Sequence, residues 1–210
     1  MPGLRGEFHR RVSEAVKLAE IGELARSEAP VGSRTLKHLH YCRLELLYEL
    51  AFVRIFYAWE DFLEQCFLRY LCGYTSSHGG AVLATGVSFA PTLAHATATL
   101  LGTKQFLLWH STTRVLDRCK GYFASCPVQT VVASSFSRLD DLAAIRHRIV
   151  HAHSDARSKF DSATMAIAGK RYPGSRPGAF LRDDDPSISP AIPWLERLGR
   201  EFQGLASQIA

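Results

Sequence analysis

Residues 35–72 read TLKHLHYCRLELLYELAFVRIFYAWEDFLEQCFLRYLC, and this stretch decides the fold. Its apolar residues (Leu36, Leu39, Leu44, Leu47, Leu50, Phe52, Val53, Phe56, Trp59, Phe62, Leu63, Phe67 and Leu71) fall nearly all the way round a helical wheel. A helix apolar on so many faces is a central one, packed on several sides. Its charges form narrow stripes, Glu45/Glu49/Glu60/Glu64 on one and Arg43/Arg54/Asp61 on another. Ser33 or Thr35 supplies the cap and Gly73 the stop, so the spacing predicts one helix over about 35–72.

Working outward, residues 4–28 carry an amphipathic helical rhythm that ends before Pro30–Gly32. On the other side, residues 70–103 contain no Asp, Glu, Lys or Arg beyond the helix end, yet Gly79, Gly80, Gly86 and Pro91 interrupt them. A membrane span needs about 18 or more uninterrupted apolar residues. This segment is therefore a connector, with a turn around Ser76–Gly80 and a short helix near Thr92–Leu101. Ser111 or Thr112 caps a helix to about Phe123, and Pro127 opens another that runs through Leu139, Leu142, Ile145 and Ile149 to about His151. A further helix falls at 156–168, and Pro193 opens the last, to about Ile209. Between them, RYPGSRPGAFLRDDDPSISP reads as a long turn-rich loop, functional or covering. No segment alternates over five residues, so no sheet is expected. The fold class is all-α and the economical arrangement is a helical bundle. One domain spans 1–210: a core of about 35–169, an extra N-terminal helix at 4–28, and a C-terminal loop and helix at 170–210.

Hydrophobic residues make up 47% and charged residues 21%, which excludes a largely disordered chain. A chain of this length buries roughly 70% of its unfolded surface and needs no disulfide to hold a core. The five cysteines (42, 66, 72, 119, 126) cannot all pair, and Cys66 and Cys72 read as core residues. Residues 1–10 are polar and not the apolar core of a secretory leader. Reduced thiols and a cytoplasmic location are the expectation.

Net charge is +5, and its placement matters more than its size. Lys and Arg against Asp and Glu number 10 against 10 in residues 1–99, 13 against 5 in 100–182, and 2 against 5 in 183–210. Arginine outnumbers lysine 19 to 6 and suits bidentate phosphate contacts. The excess is either a solvated basic face or a surface for a polyanion. For RNA, the candidate phosphate contacts are Arg148, Arg157, Lys159, Arg171, Arg176 and Arg182.

Motifs for nucleotide-binding loops, zinc proteases and serine hydrolases are absent, as is any CxxC. The dense polar cluster is Arg146-His147-Arg148-Ile149-Val150-His151-Ala152-His153, at a helix end. Leu142, Ile145 and Ile149 gather within about 60° of the wheel and mark the buried side. His147 and His151, one turn apart, share the opposite face. Three readings stay open. The pair could ligate a metal with His153 or a returning Asp155, as in a metal-dependent hydrolase. It could be a solvated or dimer-facing polar patch. Or it could perform acid–base chemistry on a phosphodiester, since imidazole exchanges protons near neutrality and a guanidinium meets the charge that develops on phosphorus.

The stretch AAIRHRIVHAHS resembles the arginine, polar residue, three variable residues, histidine motif of the HEPN superfamily, with Arg146, His147 and His151 in the three places. RIFYAWEDFLEQCFLRYLCG is similar to the first core helix of the RiboL-PSP-type HEPN families, where an aromatic-Glu pair leads an apolar helix. The resemblance covers about residues 40–160 and implies an HEPN-like bundle. It implies a metal-independent endoribonuclease of bacterial defence or toxin–antitoxin systems, with no cofactor and no metal. His151 would transfer protons, Arg146 would stabilise the phosphorane, and His147 would position phosphate or His151. Glu60 and Asp61 are further candidates on the neighbouring helix. The implied partners are RNA, a second copy of the chain, and an antitoxin or defence-system protein. The alternative within the superfamily is a non-catalytic module that binds RNA or a protein. His153 stands where HEPN toxins paired with a nucleotidyltransferase antitoxin carry Tyr, a departure that tells against regulation by tyrosine nucleotidylation.

The resemblance places the motifs of two subunits across a shared cleft. Light scattering should therefore give twice the chain mass at high concentration, over a dilution range of about a hundredfold. A strict monomer throughout would contradict a composite site.

Overall fold

The computed structural model describes residues 1–210, apart from the side chain of Pro2. The fold is all-α. In chain order the helices are α1 (Pro2–Ser27), α2 (Arg34–His38), α3 (Tyr41–Leu71), α4 (Leu93–Leu101), α5 (Thr112–Tyr122), α6 (Pro127–Ser134), α7 (Phe136–Val150), α8 (Ser154–Ala168), α9 (Pro177–Arg182) and α10 (Trp194–Ile209). Two antiparallel pairs of very short strands, missed by the search for alternation, join β1 (Val82–Leu83) to β2 (Phe123–Ser125) and β3 (Asp184–Asp185) to β4 (Ile192–Pro193). Strands of two or three residues are too brief to show a period. No helix is long and apolar enough to cross a membrane.

The chain divides into two compact units. The first comprises Met1–His9, Ala58–Asp140 and Gln203–Ala210; the second comprises Arg10–Tyr57 and Asp141–Phe202. In the first unit, Trp59 and Phe62 stack at 5.9 Å and both meet Phe8, at 6.0 and 5.0 Å. Phe67 lies edge-on to Trp109, Tyr122 and Phe123, so α3, α5 and β2 share one aromatic cluster. The fully buried Tyr70 donates its hydroxyl proton to the Ile209 carbonyl at 2.5 Å, which satisfies a polar group the core could not leave unpaired. Cys66, Cys119 and Cys126 are buried here, and all five cysteines are free thiols.

In the second unit, Val12, Ala15 and Ala19 of α1 are buried along with Leu44, Phe52, Ile55 and Phe56 of α3. Phe202 of α10 meets Phe56 edge-on at 5.8 Å. Gly199 lets α10 approach α1: a Cβ there would lie 3.2 Å from Val12 Cγ1.

Two helices expected to be continuous are broken, each for a local reason. The helix predicted over 35–72 splits at Leu39–His40. The carbonyls freed there are taken by arginines: Arg43 donates to the Lys37 and His38 oxygens at 3.4 and 3.0 Å, and Arg26 donates to that of Leu39 at 2.7 Å. The helix predicted from Pro127 to His151 stops at Ser134. There the Ser135 amide makes the last ladder bond, to the Val131 carbonyl at 3.1 Å, and the Ser134 hydroxyl competes for the same oxygen at 3.0 Å.

The stretch expected as a loop after Arg171 is largely ordered into α9 and the β3–β4 pair. Its density of Pro and Gly masks two anchors, Phe180 and Leu181, both fully buried. Phe180 packs on Tyr172, Phe160 and Trp194, with ring centroids 5.3, 6.3 and 5.7 Å away. Burying one such side chain stabilises by roughly 1.5–3 kcal/mol. The segment also answers the carboxylate stripe on α3. Arg176 pairs with Glu45 at 2.6 Å, the Gly178 amide donates to Glu49 at 2.9 Å, and Arg182 grips Glu23 of α1 through Nε and Nη2 at 2.5 and 3.2 Å. Gly178 is required by proximity: a Cβ would sit 2.5 Å from the Glu45 carbonyl oxygen. Gly178→Ala should therefore push α9 off α3 and lower stability by about 1–3 kcal/mol, read as a drop in Tm. An unchanged Tm would contradict this close approach.

Candidate active site

The carboxyl end of α7, the three residues after it and the first turn of α8 bring the histidines together. Leu142 and Ile145 of the predicted stripe are buried and turn the opposite face of α7 outward, while Ile149, near the helix end, is only half-buried. His147 is half-buried there, while His151 and His153 are exposed. The His147 and His151 rings lie 4.5 Å apart, His147 and His153 5.2 Å, and His151 and His153 5.6 Å. The i, i+4 pair read from the sequence is thus a cluster of three rings. His153 joins because the chain turns sharply after Val150 and enters α8.

That turn is held by named bonds. The His151 amide donates to the His147 carbonyl at 2.9 Å, continuing the helical ladder by one residue. Arg148 donates from Nη1 to the His151 carbonyl and from Nε to the Ser175 carbonyl, both at 3.1 Å. Arg148, one of the expected phosphate contacts, thereby fixes the backbone of His151. His153 is the N-cap of α8: its Nδ1 accepts from the Ala156 amide at 3.2 Å. Acceptance through Nδ1 places the proton of the neutral ring on Nε2. No sequence signal marked this role, because Ser, Thr, Asp and Asn are the usual caps.

Arg146 lies beside Tyr57 of α3, with its guanidinium carbon 5.9 Å from the ring centroid, at the outer reach of a cation–π contact. Tyr57 was not singled out in the sequence; its ring is half-exposed. Of the other expected phosphate contacts, Arg157 and Arg171 are exposed, Lys159 pairs with Asp155 at 2.9 Å, and Arg176 and Arg182 hold Glu45 and Glu23. Glu60, in the first unit, faces His110 at 3.7 Å; Asp61 belongs to the same unit.

The electrostatics separate the rings. Burial pushes His147 below the ordinary histidine value, and the neighbouring His151, His153 and Lys159 push it the same way, while Asp155 opposes them. The salt bridge from Lys159 holds the Asp155 carboxyl below its ordinary value. His147 is therefore a neutral base near pH 7, beside a cationic side chain on either flank.

His147, His153 and Asp155 offer ligand atoms within 4.8 Å of one another and are the candidate metal ligands of this site. Tetrahedral zinc with nitrogen at about 2.0 Å needs ligand atoms about 3.3 Å apart, so the three would have to draw together. His153 would have to give up its cap. The donor set fits a metal poorly.

Comparison with protein-family models, with curated proteins and with solved structures finds no match for this chain.

Folded His147 holds a proton more weakly than the unfolded chain does. Its contribution to stability is present above the ordinary value of 6.5 and is lost as pH falls below it. Ring resonances in NMR titrations should give His147 a midpoint below 6.5; Lys159→Gln should raise that midpoint and Asp155→Asn should lower it. A midpoint unmoved in both variants would contradict this picture of the cluster.

Proposed function

We propose that this chain is a metal-independent endoribonuclease of the HEPN type, its chemistry carried by Arg146, His147 and His151. The observation that carries the reading is the ring pair of His147 and His151, 4.5 Å apart at the carboxyl end of α7 next to Arg146. Imidazoles exchange protons near neutrality, so the pair can supply a base and an acid to one phosphodiester bound at this face. The 2′-hydroxyl of RNA attacks the adjacent phosphorus, and its proton passes to His147, which burial and cationic neighbours keep neutral. The bond from phosphorus to the 5′-oxygen breaks, and that oxygen leaves with a proton from His151. The products are a 2′,3′-cyclic phosphate and a 5′-hydroxyl. Arg146, beside Tyr57, meets the charge on the phosphorane. The nucleophile belongs to the substrate, so proximity replaces a covalent enzyme intermediate. A second copy of the chain completes the cleft, in a defence or toxin setting with a protein partner that restrains it.

Cleavage of labelled tRNA and mRNA should persist in EDTA. His151→Ala and Arg146→Ala should each lower turnover by about a hundredfold or more while leaving Tm and helical content nearly unchanged. DNA, without the 2′-hydroxyl, should survive. Loss of activity in EDTA, or cutting of DNA at a comparable rate, overturns this mechanism; the first result would favour a hydrolytic metal on His147, His153 and Asp155.

A further inference from the structure

Part of the basic excess of residues 100–182 is engaged within the chain. In the second unit Lys159, Lys170, Arg176 and Arg182 each pair with a carboxylate, and Arg148 is committed to two backbone carbonyls. In the first unit Lys104, Arg114 and Arg118 line one cavity of about 610 Å³ between the segment after α4 and the face of α5. Among the described residues, Asp117 is the one acid in that lining.

The two arginines stand one helical turn apart on α5, where their like charges repel; burial above all, and Arg114 after it, lowers the Arg118 guanidinium below its ordinary value, while Cys119, Glu64 and Tyr122 oppose the shift. Arg118 is fixed over the Trp109 ring at 4.2 Å, and its Nη1 is buried without an acceptor. The field of Glu64 reaches Arg118 from α3, but it forms no salt bridge with it among the described residues. An under-neutralised cation of this kind is relieved by an incoming anion. Guanidinium forks match phosphate oxygens in pairs.

The remaining walls are apolar and aromatic. Phe106 is 71% exposed, a large ring left to water at the mouth. Tyr122 is held by its hydroxyl, which donates to the Thr99 carbonyl at 3.2 Å. Exposed aromatic faces beside cations take nucleobases by stacking. The volume falls within the usual range of small-ligand sites, about 300–1,000 Å³. Phosphate-seeking cations, a flat apolar platform and the single acceptor Asp117 describe the three parts of a nucleotide.

We infer that this cavity binds a nucleotide, its phosphate on Arg114, Arg118 and Lys104 and its base against Phe106 and Tyr122, with Asp117 accepting from a base amino group or a ribose hydroxyl. The site belongs to the first unit and uses none of the residues assigned to cleavage. It takes either a free nucleotide or the phosphorylated end of a strand, since both present the same chemistry.

Isothermal titration of the full chain in EDTA tests it, with AMP, GMP and ATP as free nucleotides and a 5′-phosphorylated, 2′-O-methylated trinucleotide as an uncleavable strand end. At least one of these should saturate with a Kd below about 1 mM, and adenosine and inorganic phosphate should each bind about tenfold more weakly. Arg114→Ala and Phe106→Ser both alter exposed side chains, so the fold survives them, and each should weaken binding about tenfold. Dependence on both residues with the mononucleotides alone identifies a free nucleotide; the same dependence with tighter trinucleotide binding identifies a strand end. Absence of saturation below about 1 mM overturns the assignment, as does binding that neither variant changes or phosphate binding as tight as that of the nucleotides. His151→Ala should leave the affinity unaltered. An inactive but nucleotide-binding chain would sink the cleavage reading alone, and an active chain with an empty cavity would sink only this one.

Discussion

A helix of 31 residues that is apolar on almost every face cannot be left in water, and the rest of the chain is arranged around that constraint. Ala51, Phe52, Ile55 and Phe56 of α3 are buried in the second unit, and Trp59, Phe62, Leu63, Phe67 and Leu71 in the first. Each unit surrounds its half of α3 with different material. The first uses aromatic rings from α1, α5 and β2. The second uses the small and branched side chains of α1 and an aromatic group built on α9 and α10.

The same constraint organises the charges. Carboxylates placed on a central helix lose much of their water, and leaving them unpaired would destabilise the fold more than pairing them stabilises it. Burial accordingly raises the Glu49 carboxyl above its ordinary range, and the Gly178 amide draws it back. Glu45 takes Arg176 from the same segment. This is why a stretch rich in Pro and Gly folds onto α3: two apolar anchors and two polar bonds outweigh the conformational entropy lost in ordering it. Several of the cations that a sequence count offers to a polyanion are thereby engaged within the chain, and Arg114 and Arg118 on α5 are among those left without a carboxylate.

The histidine cluster arises from a different kind of constraint. Its rings meet because α7 ends at Val150 and α8 begins at Ser154, a three-residue turn too short to carry His153 away. Arg148 and the cap on α8 hold that turn rigid. The proposed cleavage chemistry relies on this rigidity, since proton transfer falls off steeply with distance, and on the difference in burial that separates His147 from its exposed neighbours.

The helical class, the centrality of residues 41–71, the cap at Ser111 and the shared face of His147 and His151 were all legible in the sequence. Each depends on the 3.6-residue period or on a side chain bonding to its own local backbone, and such interactions are written within a few residues. The breaks at Leu39–His40 and Ser134–Ser135 were harder to read, because a helix interrupted for one or two residues keeps its apolar rhythm on both sides. Other features could be decided only by tertiary structure. Among them are the order imposed on residues 177–182, the pairing of Arg182 with Glu23, the approach of Arg146 to Tyr57, and the gathering of Lys104, Arg114 and Phe106 around one cavity. The partners in the ion pair and in that approach are 159 and 89 positions apart in the chain. The sequence states how many charges there are and of what sign, but which of them are neutralised depends on distances that exist only after α3 has been buried.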